Sequence, residues 1–295
     1  MKKTGIFLFI PTIFIVTVIA FANPDPPEIE IKKINEKLYK LCIGSVNAVA
    51  SIGEDGILLS DTGFEETAAP LMSELKKLGG DSIRYIINTH WHHDHCGGNK
   101  VFGKEAVIIA HQNTRKALSR DQILNFWREE YKAFPDYALP YLTFTTQLTL
   151  HFNGEEIVLI HLPNGHSDGD VIVYFKNSNV LHMGDLLFSN GFPCFDFENG
   201  GNAEQFVRNL QTIIDMMPQD VLLIAGHGPD YSIRELKQYQ EMMSATIAII
   251  RDSMETGMSL DEMKRKEILK NYTKWGDGFF TCDEWVENVY YSFKN

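Results

Sequence analysis

The stretch THWHHDHCGG, residues 89–98, follows directly on the apolar run IRYIIN at 83–88. Four histidines and an aspartate fall between His90 and His95. A short apolar run bounded by turn residues reads as a buried strand, so the cluster is predicted at a strand's C-terminal end. A fold that accepts it must hold imidazoles and carboxylates together where a ligand can reach them. Three similar residues each come shortly after an apolar run: His166 in NGHSDGD, Asp185 in HMGDLL and His227 in AGHGPD. Side chains at strand ends land along one edge of a sheet, where they can converge.

Neutral imidazole and carboxylate are the ligands that Zn²⁺ and similar borderline ions take. His90 and His92 are two residues apart and can reach one ion from a single turn. Asp94 and His95 suit a second ion. His166 completes the first site, His227 the second, and Asp185 has an oxygen for each. The expected set is therefore seven ligands and two Zn²⁺, with iron or manganese compatible with the same donors. Room is left for water, the mark of a catalytic site. His93 and Cys96 read as spacers, one facing solvent or the pocket and the other packing. His111, His151 and His161 read as ordinary core or surface residues. His182 is open between supporting Asp185 and plain core. Trp91, Phe188, Phe192 and Tyr231 flank the motifs and read either as core or as an apolar pocket wall.

The rest of the chain is predicted to alternate strand groups and helices. Strands are expected at 28–34, 37–42, 47–52 and 57–60, as an antiparallel meander. A helix is expected over 65–78, with Pro70 in its first turn and Gly79-Gly80 as its stop. Then come a strand at 106–110, a helical stretch at 112–133, and strands at 146–152, 156–162, 171–175 and 179–183. A helix over 203–217, a strand at 221–225 and helices over 232–255, 259–270 and 283–293 complete the chain. Twice-repeated strands then helices suggest two sheets with helices outside.

Residues 1–22 read as a signal peptide: Lys2 and Lys3, then an apolar run, then Ala20-Phe21-Ala22. The mature chain would begin at Asn23, in the periplasm or outside the cell, with the membrane involved only in export. The full chain has 27 basic and 39 acidic residues, net −12, and loss of two lysines takes this to −14. That charge disfavours nucleic-acid binding and leaves a small-molecule substrate as the expected partner. Cys42, Cys96, Cys194 and Cys282 permit either disulfides or free thiols, and composition does not fix the oligomeric state.

The ordered motifs THWHHDH, GHS, GDLL and GHG, with Asp61-Thr62-Gly63 upstream, closely resemble those of the metallo-β-lactamase superfamily. The resemblance covers roughly residues 28–230 and implies an αββα sandwich: two mixed β-sheets face to face, helices outside, metals at one edge. It implies three segments: signal peptide 1–22, a metallo-β-lactamase-like domain 23–230, and a helical C-terminal extension 231–295 packed on it. KWGDGFF at 274–280 looks like the extension of exported β-lactamase-like members. Asp61 resembles the buried carboxylate that supports the histidine loop. An aspartate at 185, where cysteine-ligand lactamases carry cysteine, is similar to glyoxalase II, lactonases and RNase Z.

What the resemblance implies is an exported dinuclear zinc hydrolase of a lactone, ester, thioester or β-lactam. A metal-bridging hydroxide would attack the carbonyl, with Asp94 both ligand and proton carrier. Two other classes stay open: a mononuclear iron oxidoreductase like the persulfide dioxygenases, and a non-catalytic metal-binding protein.

Overall fold

A computed structural model describes residues 29–189 and 191–294. The expected signal peptide lies outside the described residues. Strands β1 (Ile29–Lys33), β2 (Leu38–Ile43), β3 (Val46–Gly53) and β4 (Gly56–Ser60) form the expected meander, and α1 (Ala68–Lys77) leads into β5 (Ile83–Ile87). Two single-turn helices, α2 (His93–Cys96) and α3 (Asn99–Phe102), precede β6 (Val107–His111) and α4 (Gln112–Leu118). A small hairpin of β7 (Gln122–Leu124) and β8 (Glu129–Tyr131) is followed by β9 (Leu142–Phe144). Next come β10 (Gln147–Phe152), β11 (Glu155–His161), β12 (Val171–Phe175) and β13 (Val180–His182). The chain ends with α5 (Ala203–Met216), β14 (Leu222–Ile224), α6 (Ile233–Glu255), α7 (Leu260–Arg265) and α8 (Cys282–Ser292).

One sheet has the order β1-β2-β3-β4-β5-β6-β9 and the other β10-β11-β12-β13-β14. Both are mixed: β4, β5, β6 and β9 run parallel, as do β13 and β14, while the remaining neighbours are antiparallel. Between the sheets Val49, Leu58, Ile87 and Ile109 meet Ile157, Leu159, Val173 and Ile224. Outside the first sheet, Leu71 and Leu75 of α1 cover Ala50, Leu59 and Ile86. These leucines are one helical turn apart, so a single apolar stripe suffices. Outside the second sheet, α5, α6 and α8 share the largest core, with Phe206, Leu236, Tyr239 and Trp285 all fully buried. The helices after residue 231 thus cover this sheet. The αββα sandwich is the observed architecture.

The stretch 112–133 departs from expectation. Its helix stops at Leu118 and the chain turns into the β7–β8 hairpin. Tertiary contacts override local helix propensity here. Gln122 donates to the Ala117 carbonyl at 2.8 Å, and Asp121 accepts from Ala133 N at 3.0 Å. Glu198, far along the chain, accepts from Asn125 N and Phe126 N, and Arg128 takes a positive φ. Leu118, Leu124 and Phe134 then pack with Trp91 in a small core of their own. Edge strand β9 was also not anticipated. All four cysteines carry free thiols.

Candidate metal centre

Strands β4, β5, β13 and β14 end on the same edge of the sandwich. Asp61 follows β4, His90 to His95 follow β5, Asp185 follows β13 and His227 follows β14, while His166 sits in the β11–β12 loop. Backbone bonds knit this edge: Asp61 N donates to Ile87 O at 2.8 Å, and Asn47 N to Gly226 O at 2.8 Å. Gly226 is required by close approach, since a Cβ there would lie 2.1 Å from Asp185 Oδ1. Gly97 and Gly98 have ordinary helical φ, so close packing rather than a left-handed turn requires glycine there. A Cβ on Gly97 would meet His93 O at 2.5 Å, and one on Gly98 would meet the Thr62 side chain at 2.8 Å.

The seven side chains singled out by the motifs come together in two groups. His90, His92, His166 and Asp185 form one, and Asp94, His95 and His227 the other, with donor atoms within 4.8 Å of one another inside each group. Asp185 touches both. Its Oδ2 lies 3.6 Å from His90 Nε2 and 3.6 Å from His166 Nε2. Its Oδ1 lies 3.0 Å from His95 Nε2 and 3.5 Å from His227 Nε2.

Each imidazole is oriented by the partner of its other nitrogen, which fixes the tautomer. His166 Nδ1 donates to Cys194 O at 2.8 Å and His227 Nδ1 to Ser45 O at 2.9 Å. His95 Nδ1 donates to Asp61 Oδ2 at 2.8 Å, and His92 Nε2 to Asp196 Oδ2 at 3.1 Å. Thr89 Oγ1 spends its own proton on Asp61 at 2.7 Å, so at 3.1 Å it accepts from His90 Nδ1. The nitrogens left facing the centre, Nε2 of His90, His95, His166 and His227 and Nδ1 of His92, are therefore the ones that can offer a lone pair to an ion.

Lone pairs gathered this closely need a cation between them. His92 Nδ1 and His166 Nε2 are 3.0 Å apart, and His95 Nε2 and His227 Nε2 are 3.3 Å apart. Buried His90 Nε2 and Asp185 Oδ1 have no hydrogen-bond partner, the short approach of His95 to Asp185 lacking the right angle. Four ligands at about 2.1 Å around a tetrahedral ion stand about 3.4 Å from one another, close to these separations. The residues fit a pair of divalent ions.

Charge agrees. Burial holds His90 well below its usual range and His166 down at about 4, so both are neutral donors. Burial also pulls on His95 and His227, but Asp185, aided by Asp94, outweighs it. His95 is raised well above its ordinary value and His227 to about 9. In both, a proton occupies the place a metal ion would take. Asp94, despite burial, is held down at about 2 by His95 and His227.

Asp61 lies beneath the second group, fully buried, with φ +66°, accepting from Thr89 N, Thr89 Oγ1 and His95 Nδ1. A left-handed backbone at a non-glycine residue is a cost carried where geometry matters. His182 lies behind it, its Nδ1 bonded to Ser60 Oγ at 2.8 Å and its Nε2 4.0 Å from Asp61. His111 and His161 stack on each other away from the centre.

A cleft of about 600 Å³ opens onto both groups. Phe188 lines it and stacks on His227, with ring centroids 4.6 Å apart. Trp91 does not line it, so of its two readings the core one holds. It is 1% exposed, and its indole N–H donates to Asp196 Oδ2 at 2.9 Å. Phe192 and Tyr231 are core residues too. His93 does face the cleft, against Tyr131. Sequence reasoning missed three contributors. Asp196 aligns His92 and Trp91, and an acid inside the apolar run FPCFDF was its only signal. Trp127 was hidden by the helical reading of 112–133. Phe279 comes from the C-terminal extension and packs 5.5 Å from Phe188.

The sequence profile of the Metallo-beta-lactamase superfamily matches residues 41–230. The alpha subunit of 2,4-dinitroanisole O-demethylase from a Nocardioides species is 23% identical, over 88% of this chain and 77% of its own. Hydroxyacylglutathione hydrolase of Pelagibacter ubique is 26% identical over 64% of this chain and 71% of its own. The structure of a metallo-beta-lactamase from Pontibacter korlensis superposes with a TM-score of 0.60 at 19% identity, over 74% of this chain and 99% of its own. The superfamily match spans the sheets and loops that supply every donor described above: the chain belongs to the metallo-beta-lactamase superfamily and is a metal-dependent hydrolase of that group.

Proposed function

We propose that the chain is an exported dinuclear zinc hydrolase acting on an uncharged carbonyl group of a lactone, ester, thioester or β-lactam. The observation that carries this reading is Asp185, one carboxylate whose two oxygens serve two histidine groups at the floor of an open cleft. Two zinc ions held there would supply Lewis acidity toward a carbonyl oxygen and make water acidic enough to ionise near neutral pH. The chain's own residues do the rest. Asp94 is the more exposed of the two carboxylates and reaches the cleft. Its oxygens orient the attacking water and carry its proton toward the leaving group. Phe188, Phe279 and Trp127 line the cleft and exclude bulk water, which strengthens electrostatic stabilisation of the developing oxyanion. The buried thiols of Cys96 and Cys194 are raised well above their ordinary value by burial and take no nucleophilic part.

The test is metal content together with turnover. Two zinc per chain and hydrolysis of at least one of a lactone, ester, thioester and nitrocefin panel are expected, lost in His90→Ala and Asp185→Ala. One iron per chain with oxygen uptake would overturn it in favour of an oxidoreductase. Export is checked separately: the secreted or periplasmic protein is expected to begin at Asn23.

A further inference from the structure

The walls and rim of the cleft differ in chemistry from its floor. Beside the first donor group stands Trp127, its ring 5.4 Å from that of His92. Beside the second stands Phe188, with Phe279 packed on it and lying 6.4 Å from His227. Phe279 is 61% exposed, so the wall is incomplete and has apolar surface to offer. Flat rings at both ends of the metal floor suit a flat apolar group.

The rim is acidic. Glu65, Glu66 and Glu129 line the cleft and are exposed, against one lysine, Lys100. That lysine is already engaged: its ammonium lies 3.0 Å from Glu65 Oε2 and 4.8 Å from the Phe134 ring centre. Among the described residues no cation pairs with Glu66 or Glu129, and no arginine lines the cleft. A substrate bearing its own carboxylate needs a cation waiting beyond the reacting carbonyl. Here it meets carboxylates instead, and like charges brought together oppose binding.

The geometry points to a substrate that is an uncharged acyl compound with an aryl or similarly flat apolar group, and to selection by the rim against carboxylate-bearing compounds. This rests on reading the cleft as the entrance to the metal centre and narrows the carbonyl class proposed above. Trp127 and Phe279 are its apolar specificity residues, while Glu66 and Glu129 repel anions.

The test uses binding as well as turnover. The zinc-loaded full mature chain is titrated by calorimetry with phenylmethanethiol and with 4-(mercaptomethyl)benzoate, a pair that differs by one carboxylate. The neutral thiol is expected to bind about tenfold more tightly, a gap set by like-charge repulsion. Trp127→Ala is expected to weaken the neutral thiol by about fivefold through loss of ring contact. Glu66→Lys combined with Glu129→Lys is expected to tighten the anionic thiol and close most of the gap. Equal or tighter binding of the anionic thiol by the natural chain overturns the inference. So does a charge reversal that leaves the gap unchanged, or the failure of the neutral thiol to bind at millimolar concentration. If the thiol preference holds but nothing in the hydrolysis panel turns over, the hydrolase reading falls and the rim's selectivity stands. If turnover is found without the preference, only the selectivity falls.

Discussion

The Asp61 carboxylate takes three donors at once and Asp196 takes two side-chain donors, Trp91 and His92, besides Asn199. Neither is among the metal donors, yet each fixes which nitrogen of a histidine faces the centre. Replacing such a carboxylate by its amide removes charge and leaves the ring free to rotate. Asp61→Asn and Asp196→Asn are each expected to lower metal affinity by about 10- to 100-fold. Competition with a chromophoric chelator reads this, and far-UV circular dichroism checks that the fold is kept. At this scale the sequence was most legible where chemistry and spacing coincide. The seven candidate ligands share short motifs behind apolar runs, and they lie together. Asp61 was legible through resemblance. Asp196 was not, because an isolated acid has no periodicity and its role depends on contacts with residues over 100 positions away. Trp91 stayed open between core and wall for a related reason: its neighbours in the motif face the cleft, while its indole is turned inward to Asp196.

Among elements, the join between β6 and β11 carries a pH dependence of its own. His111 and His161 stack face to face with centroids 3.5 Å apart, and each donates from Nε2 to a backbone carbonyl, Thr145 O or Asp168 O. Burial and then the neighbouring ring hold His111 down at about 4, and burial lowers His161 as well. A histidine depressed in the folded state binds fewer protons than in the unfolded chain. Stability is therefore full above the ordinary value of 6.5 and declines as pH falls from there toward 4. His111→Asn is expected to flatten this part of the curve, read as the difference in urea midpoint between pH 7 and pH 5. Strands and long helices were read from sequence to within a few residues, because each has one clear apolar face. The β7–β8 hairpin was not, since its bonds to Glu198 and Ala117 outweigh a helix-compatible local sequence. Three-residue β9 leaves too little pattern to detect.

For the whole molecule, the helices after residue 231 are part of the core. Trp285 is fully buried, stacks on Phe192 at 5.0 Å and donates from its indole to Thr246 Oγ1 at 3.1 Å. Trp285→Ala would leave a large cavity and remove the donor to Thr246 Oγ1, at a cost of about 3–5 kcal/mol. Urea unfolding is expected to show this as one cooperative transition at lower midpoint. A separate early transition of the helices would contradict the shared core. The same packing brings Phe279 to the cleft, so the extension contributes to both stability and entry.

The two donor groups also have a mechanical meaning. Each draws on both sheets: His90 and His92 come from the first, His166 and Asp185 from the second, and likewise Asp94 and His95 meet His227. An ion in either group would thus be a rivet through this edge of the sandwich, added to the backbone bond from Asn47 to Gly226. An ion in the second group would take the place of the protons on His95 and His227 and hold the strand ends together. Stripping the metal with a chelator is expected to lower Tm and to speed amide exchange at the ends of β4, β5, β13 and β14, while the opposite edge keeps its protection.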